Sequence, residues 1–173
     1  MEKRRAQSRP IDTADFKVTE NPVYVMNRIL RGFHNYMTSA LRPTGIKLPM
    51  WRVLWALQEL GPQTVGELSD CTTIERSTLS RVIDAMEEDG LVRSEASESD
   101  RRYTKTYLTE KGEQRYAELL PMSLDLVRWA FEGFQEEEIV QLAEVLDRVR
   151  GNVERPAFQV RRASFVTKGD QWN

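Results

Sequence analysis

The sequence predicts a mainly α-helical fold that carries one small β-wing. Three observations lead there. Apolar residues recur at helical spacing over most of the 173 residues. Within residues 64–112 the pattern runs helix, tight turn, helix, then two short β-favouring runs at 91–94 and 105–108. The loop between those runs, residues 95–104, is too long for a tight hairpin and rich in charge. Together they describe a winged helix-turn-helix core, residues 48–112, flanked by N- and C-terminal dimerisation helices at 21–47 and 113–152. Residues 1–20 read as a flexible N-terminal arm and 153–173 as a tail, because neither is periodic.

Each element has its own signals. Asn21 is a cap and Pro22 a first-turn residue for a helix with Met26, Ile29, Leu30, Phe33, Met37 and Leu41 on one face. Arg42-Pro43-Thr44-Gly45 ends it with turn chemistry. A second helix begins near Pro49, buries Met50, Val53, Leu54 and Leu57, and stops at Gly61-Pro62. Thr64 and Glu67 have the spacing of a capping box, and Thr72 and Glu75 repeat it. Two such boxes around a tight turn predict a helix-turn-helix whose first helix ends near Cys71.

The second helix of that pair, residues 75–89, places Leu79, Val82, Ile83 and Met86 on a core stripe. Ser77, Arg81, Asp84 and Glu88 fall opposite, Thr78 and Ser80 flank them, and Arg76 lies nearer the core edge. The front half of the exposed face is hydroxyl and guanidinium; the rear half is acidic. Recognition helices read DNA with their N-terminal residues, so this asymmetry suits insertion by the front end. Gly90 ends the helix, and Thr109 caps the next one. That helix carries Tyr116, Leu119, Leu120, Leu124 and Val127, with a kink expected at Pro121. After Gly133 a last helix, about 135–150, has Ile139, Leu142, Leu146 and Val149 as its stripe and ends at Gly151 and Pro156. Three amphipathic helices outside the core are more than one copy can bury, which predicts a homodimer.

Composition bounds the function. Twenty-five Lys and Arg against 27 Asp and Glu give a net charge of -2, and no apolar run is long enough for a membrane span. The basic start, Met1 to Arg5, is followed by no apolar stretch, so no secretory signal is expected. One cysteine, Cys71, excludes an internal disulfide and suits a reducing cytoplasm. A near-neutral total hides local clusters: arginines stand at 76, 81, 101 and 102, acids at 87–89 and 136–138. No phosphate-binding glycine loop, metal-ligand spacing or nucleophile–base pair is present, so neither an enzyme nor a cofactor is expected.

The run Thr64-Val65-Gly66-Glu67-Leu68, then Glu88-Asp89-Gly90-Leu91-Val92-Arg93, Asp100-Arg101-Arg102 and Leu108-Thr109-Glu110-Lys111-Gly112, resembles the MarR family of bacterial regulators over about residues 22–152. The resemblance implies dimeric winged-helix repressors, less often activators, released from pseudo-palindromic operators by small aromatic acids, phenolic compounds or oxidants. Arg102 then matches the wing arginine that enters the minor groove, and Asp100 the carboxylate that orients wing arginines. Ser77, Thr78 and Arg81 match the reading part of the recognition helix; Arg76, Ser80, Arg101 and Lys105 complete the DNA-facing set. The family's ligand pockets lie between dimer helices and winged domain, which makes Arg31, His34 and Trp51 ligand candidates. Cys71 reads first as a small buried residue, with a redox sensor as the alternative. A winged helix used as a protein-interaction module is the rival function; it is disfavoured because the exposed helix front carries arginines and hydroxyls rather than aromatic anchors.

Overall fold

The computed structural model describes residues 17–96 and 104–155. The described residues form two compact units, divided between Leu126 and Val127. In the first, α1 (Pro22–Leu41) starts where the Asn21 side chain accepts from the Val23 amide at 2.8 Å. A 3-10 turn, Arg42–Thr44, leads to Gly45 at φ 76°, a conformation that costs a glycine little. Next, α2 (Leu48–Leu60) is the central helix: Val53, Leu54, Ala56 and Leu57 are buried, and it packs on α1 and on several later elements.

A strand the periodicity did not reveal follows. β1 (Gln63–Thr64) is two residues long, too short to show a period, and pairs antiparallel with β3 (Thr104–Leu108). β2 (Val92–Ala96) pairs with the other edge of β3, giving the order β1-β3-β2. The register runs from Val92 opposite Leu108 to Ala96 opposite Thr104. The base of the wing is thereby pinned, while its tip, residues 97–103, lies outside the described residues.

α3 (Val65–Thr72) starts with the expected capping box. Thr64 Oγ1 accepts from the Glu67 amide at 3.3 Å, and a Glu67 carboxylate oxygen accepts from the Thr64 amide at 2.8 Å. The Thr64 backbone bond, then its hydroxyl, hold the Glu67 carboxyl below its ordinary value, with Lys105 adding attraction. A depressed carboxyl stabilises the fold above the ordinary carboxylate range and loses that contribution as pH falls through the lowered pKa. Thr64→Ala is expected to cost about 1 kcal/mol at neutral pH. The difference from wild type should shrink in acid, read from urea midpoints at both pH values; a constant difference would mean the box is not coupled to ionisation.

The second box does not form. α4 (Arg76–Glu88) has Glu75 at its cap with no side-chain cap bond. Thr72 is buried and its hydroxyl donates to the Leu68 carbonyl at 2.5 Å, so it belongs to α3. Thr73 turns the chain in the left-handed region, φ 57°, and Ser69 Oγ holds the turn by donating to the Ile74 carbonyl at 2.7 Å. On α4, Leu79, Ile83 and Met86 are buried and Val82 is half-buried.

The end of α4 is tied to the start of α5 (Glu110–Ala130). Gly90, φ 67°, donates to the Glu87 carbonyl and Leu91 to the Met86 carbonyl, a pair of bonds that closes the helix. Thr109 Oγ1 is 2.7 Å from the Gly90 carbonyl and accepts from the Gly112 amide at 3.1 Å; the Thr109 amide donates to the Leu91 carbonyl. A Cβ on Gly112 would stand 2.1 Å from that same Leu91 oxygen. The Leu-Thr-x-x-Gly run therefore serves as a backbone clasp between the end of α4 and the start of α5.

α5 carries Pro121 inside it and runs on to Ala130. In the second unit α6 (Glu136–Val153) begins with a Gln135–Glu138 capping box and runs through Gly151 to Val153, so Gly151 does not stop it. A glycine inside a helix costs only about 1 kcal/mol, too little by itself to end one.

Candidate nucleic-acid interface

The buried stripe Leu79–Ile83–Met86 sets the roll of α4 about its axis. Its other face is left in solvent: Ser77, Thr78, Ser80, Arg81, Asp84 and Glu88 are all exposed. Arg76, also exposed, leans back towards α3, since a methyl on Gly66 would lie 3.5 Å from its guanidinium. Ser80 Oγ donates to the Arg76 carbonyl at 3.1 Å. Ser77 Oγ donates to the Glu75 carboxylate. That bond, then backbone bonds from Ser77 and Thr78, with the charge of Arg81, hold the Glu75 carboxyl low and ionised. Glu75 thus organises the front of the helix, a role the sequence reading did not assign; its place two residues before Ser77 was the available signal.

Lys105 is half-buried mid-sheet, opposite Thr64 on β1 and Glu95 on β2. It therefore lies at the base of the wing, beside the start of α3. Arg93 stacks over the Tyr107 ring, 4.8 Å from the centroid, and pairs with Glu95. Asp100, Arg101 and Arg102 fall in the tip, outside the described residues.

Two cavities adjoin this region. A small one of about 210 Å³ separates the start of α2 from α4 and is lined by Lys47, Pro49, Met50, Thr78, Arg81, Val82 and Ala85. A larger open groove of about 890 Å³ is lined by His34, Asn35, Thr38, Ser39 and Arg42, with Gly45 to Pro49 on its other side. The three ligand candidates do not meet. His34 lines the groove; Arg31 is exposed on α1 and does not; Trp51 is 6% exposed and stacks on Tyr116, 5.5 Å between centroids and 9° between planes. Trp51 is a core residue because its position on α2 faces α5, where an aromatic partner waits. Arg42 and Lys47, not singled out by the sequence, supply the groove's cations.

Cys71 is exposed, not buried as expected. Partial desolvation is the main cause that raises its thiol pKa, with Asp70 adding to it, the opposite of what a reactive thiolate needs. Among the described residues no group of His, Cys, Asp or Glu is placed to hold a metal ion, and no helix is long and apolar enough to cross a membrane.

The model of the MarR family matches residues 44–102, from the turn after α1 into the wing. The HTH-type transcriptional repressor IacR of Pseudomonas putida is 30% identical over 140 residues, covering 81% of this chain and 84% of IacR. The chain belongs to the MarR family. As a MarR-family protein it is a DNA-binding regulator of transcription. A MarR regulator of known structure from Silicibacter pomeroyi is 26% identical and superposes with a TM-score of 0.76, over 83% of this chain and 97% of that one. BpsR of Bordetella bronchiseptica, whose DNA binding is regulated by 6-hydroxynicotinic acid, shares the fold at 19% identity and a TM-score of 0.69, over 78% of this chain and 96% of BpsR.

Proposed function

We propose that this MarR-family chain is a homodimeric repressor that reads a pseudo-palindromic operator and is released by a small aromatic or phenolic acid. The observation that carries the DNA-reading part is the roll of α4. With Leu79, Ile83 and Met86 held in the core, the hydroxyl and guanidinium end projects from the surface while Asp84 and Glu88 stand at the rear. In this reading Ser77, Thr78 and Arg81 meet base edges and phosphates, while Arg76, Ser80 and Lys105 border the backbone. The wing adds Arg101 and Arg102, with Asp100 orienting them.

Dimerisation is supported by apolar surface. Val23, Ile29 and Leu30 on α1 are exposed. So are Leu124, Val127 and Trp129 on α5, and Val140, Leu142, Val145, Leu146 and Val149 on α6. That much exposed apolar side chain is covered by a partner in a soluble protein. A two-fold pair would set the recognition helices about 34 Å apart, one DNA turn.

Release by ligand is supported by the groove. Arg42 offers a cation, and His34 a ring hydrogen-bonding group, for a carboxylate or phenolate. Lys47 and Pro49 line both this groove and the small cavity against α4, so an occupant would touch the element that borders the reading helix. No comparable support favours Cys71 as a trigger.

The test is a fluorescence-anisotropy titration of duplex DNA with wild-type protein and His34→Ala, repeated with a panel of aromatic acids. Steep salt dependence with two protomers per duplex is expected, and release by at least one acid that is lost in His34→Ala. Salt-independent binding would end the DNA reading; release unchanged in His34→Ala would end the groove's role.

A further inference from the structure

The geometry points to Lys47 as a DNA-phosphate contact on the recognition face, one that works beside Arg81 although it belongs to a different helix. It rests on the DNA-reading function and adds a residue to it.

Lys47 is the residue before α2, far in sequence from the recognition helix. In the fold it is brought to it. Lys47, Pro49 and Met50 form one wall of the 210 Å³ cavity, and Thr78, Arg81, Val82 and Ala85 form the other. Thr78 and Arg81 are the exposed residues at the front of α4. A cation on the far wall of that cavity shares their outlook. Lys47 is itself exposed and makes no ion pair among the described residues. Its backbone is extended, φ -86° and ψ 152°, and Pro49 stiffens the chain just after it, so the stem starts from a fixed point.

The charge balance of α4 gives this cation a task. Glu75 draws on Arg81 at the front, and Asp84, Glu87 and Glu88 are exposed behind. With these carboxylates on the same helix, its net attraction for phosphate is less than its arginines alone would give. A lysine supplied from outside the helix, beside its middle turns, offsets the acids where the DNA backbone passes. Lysine suits the role as a compact point charge on a flexible stem, which holds a phosphate without base preference.

The test measures the salt dependence of binding to a mixed-sequence duplex several helical turns long, from about 50 to 200 mM salt. Wild type, Lys47→Gln, Lys47→Arg and Arg148→Gln are compared, with thermal melting to verify the fold. Arg148 lies on α6 and removes the same charge elsewhere. Each phosphate contact contributes about 0.9 to the slope of log K against log salt, an affinity loss of about 3.5-fold over this range. Lys47→Gln should lower the slope by about that amount per bound protomer; Lys47→Arg and Arg148→Gln should keep it. A wild-type slope in Lys47→Gln, or an equal drop in Arg148→Gln, overturns the assignment. Wild-type protein that fails to bind the duplex with a salt-dependent affinity would instead overturn the DNA-reading function itself.

Discussion

Gly112→Ala is expected to destabilise the first unit by about 3 kcal/mol, at the upper end for overpacking a tight site. The added Cβ would stand 2.1 Å from the Leu91 carbonyl oxygen, and this neighbour is backbone, not the movable end of a side chain. Moving Leu91 is costly because its carbonyl already accepts from the Thr109 amide at 3.1 Å, and its own amide closes α4 on Met86. Moving α5 instead breaks the bond from the Gly112 amide to Thr109 Oγ1. Either way the end of α4 shifts against α5. Gly90→Ala is the comparison. Gly90 has φ 67° but open space around it, so it carries only the left-handed penalty, about 1–2 kcal/mol. Urea unfolding of the two variants should rank them in that order; equal losses would mean that Gly112 is needed for its backbone freedom and not for close approach.

Arg102→Ala is the second large effect, and it falls on binding instead of folding. Operator affinity should drop by about 1–3 kcal/mol, roughly five- to 150-fold, with no change in melting temperature. The sheet register supports the separation. Ala96 opposite Thr104 closes the wing's base, so a substitution at the tip leaves the described ladder untouched. Arg81→Ala should lose affinity on the same scale, through α4. Glu88→Gln, at the acidic rear, should lose none. A fall in affinity for Glu88→Gln as large as that for Arg81→Ala would show that the helix enters the groove along its whole length. Wild-type affinity in Arg102→Ala would remove the wing arginine from the interface.

The elements that were legible in the sequence share one property: their signals are local. Asn21-Pro22, Gly45, Gly61 and Gly90 each act within a turn of themselves, and each marks the expected boundary. The stripe of Leu79, Ile83 and Met86 was legible because a helix repeats its faces at a fixed angle. The same locality misled at Thr72 and Glu75. They have the spacing of a capping box, but spacing does not say whether Thr72 ends one helix or starts the next; its hydroxyl goes to Leu68. β1 was invisible because two residues have no period, and only β3 makes them a strand.

For the candidate site, the division is similar. Which face of α4 is exposed followed from sequence alone. The place of Trp51 did not, because its partner Tyr116 lies on a distant helix. The lining of the groove was not legible for the same reason: His34 is joined there by Arg42 and Lys47, across a turn whose direction no residue count supplies.

The sequence by itself determined the order of helices, the winged core, the exposed face of α4 and the family, since each rests on neighbouring residues or on motif order. Tertiary structure decided what those helices bring together. It placed Lys47 beside Arg81, gave Gly112 its contact with Leu91, and set Lys105 between Thr64 and Glu95. Such contacts depend on the packing of whole elements, where a small change in one crossing moves a side chain by more than the length of a hydrogen bond.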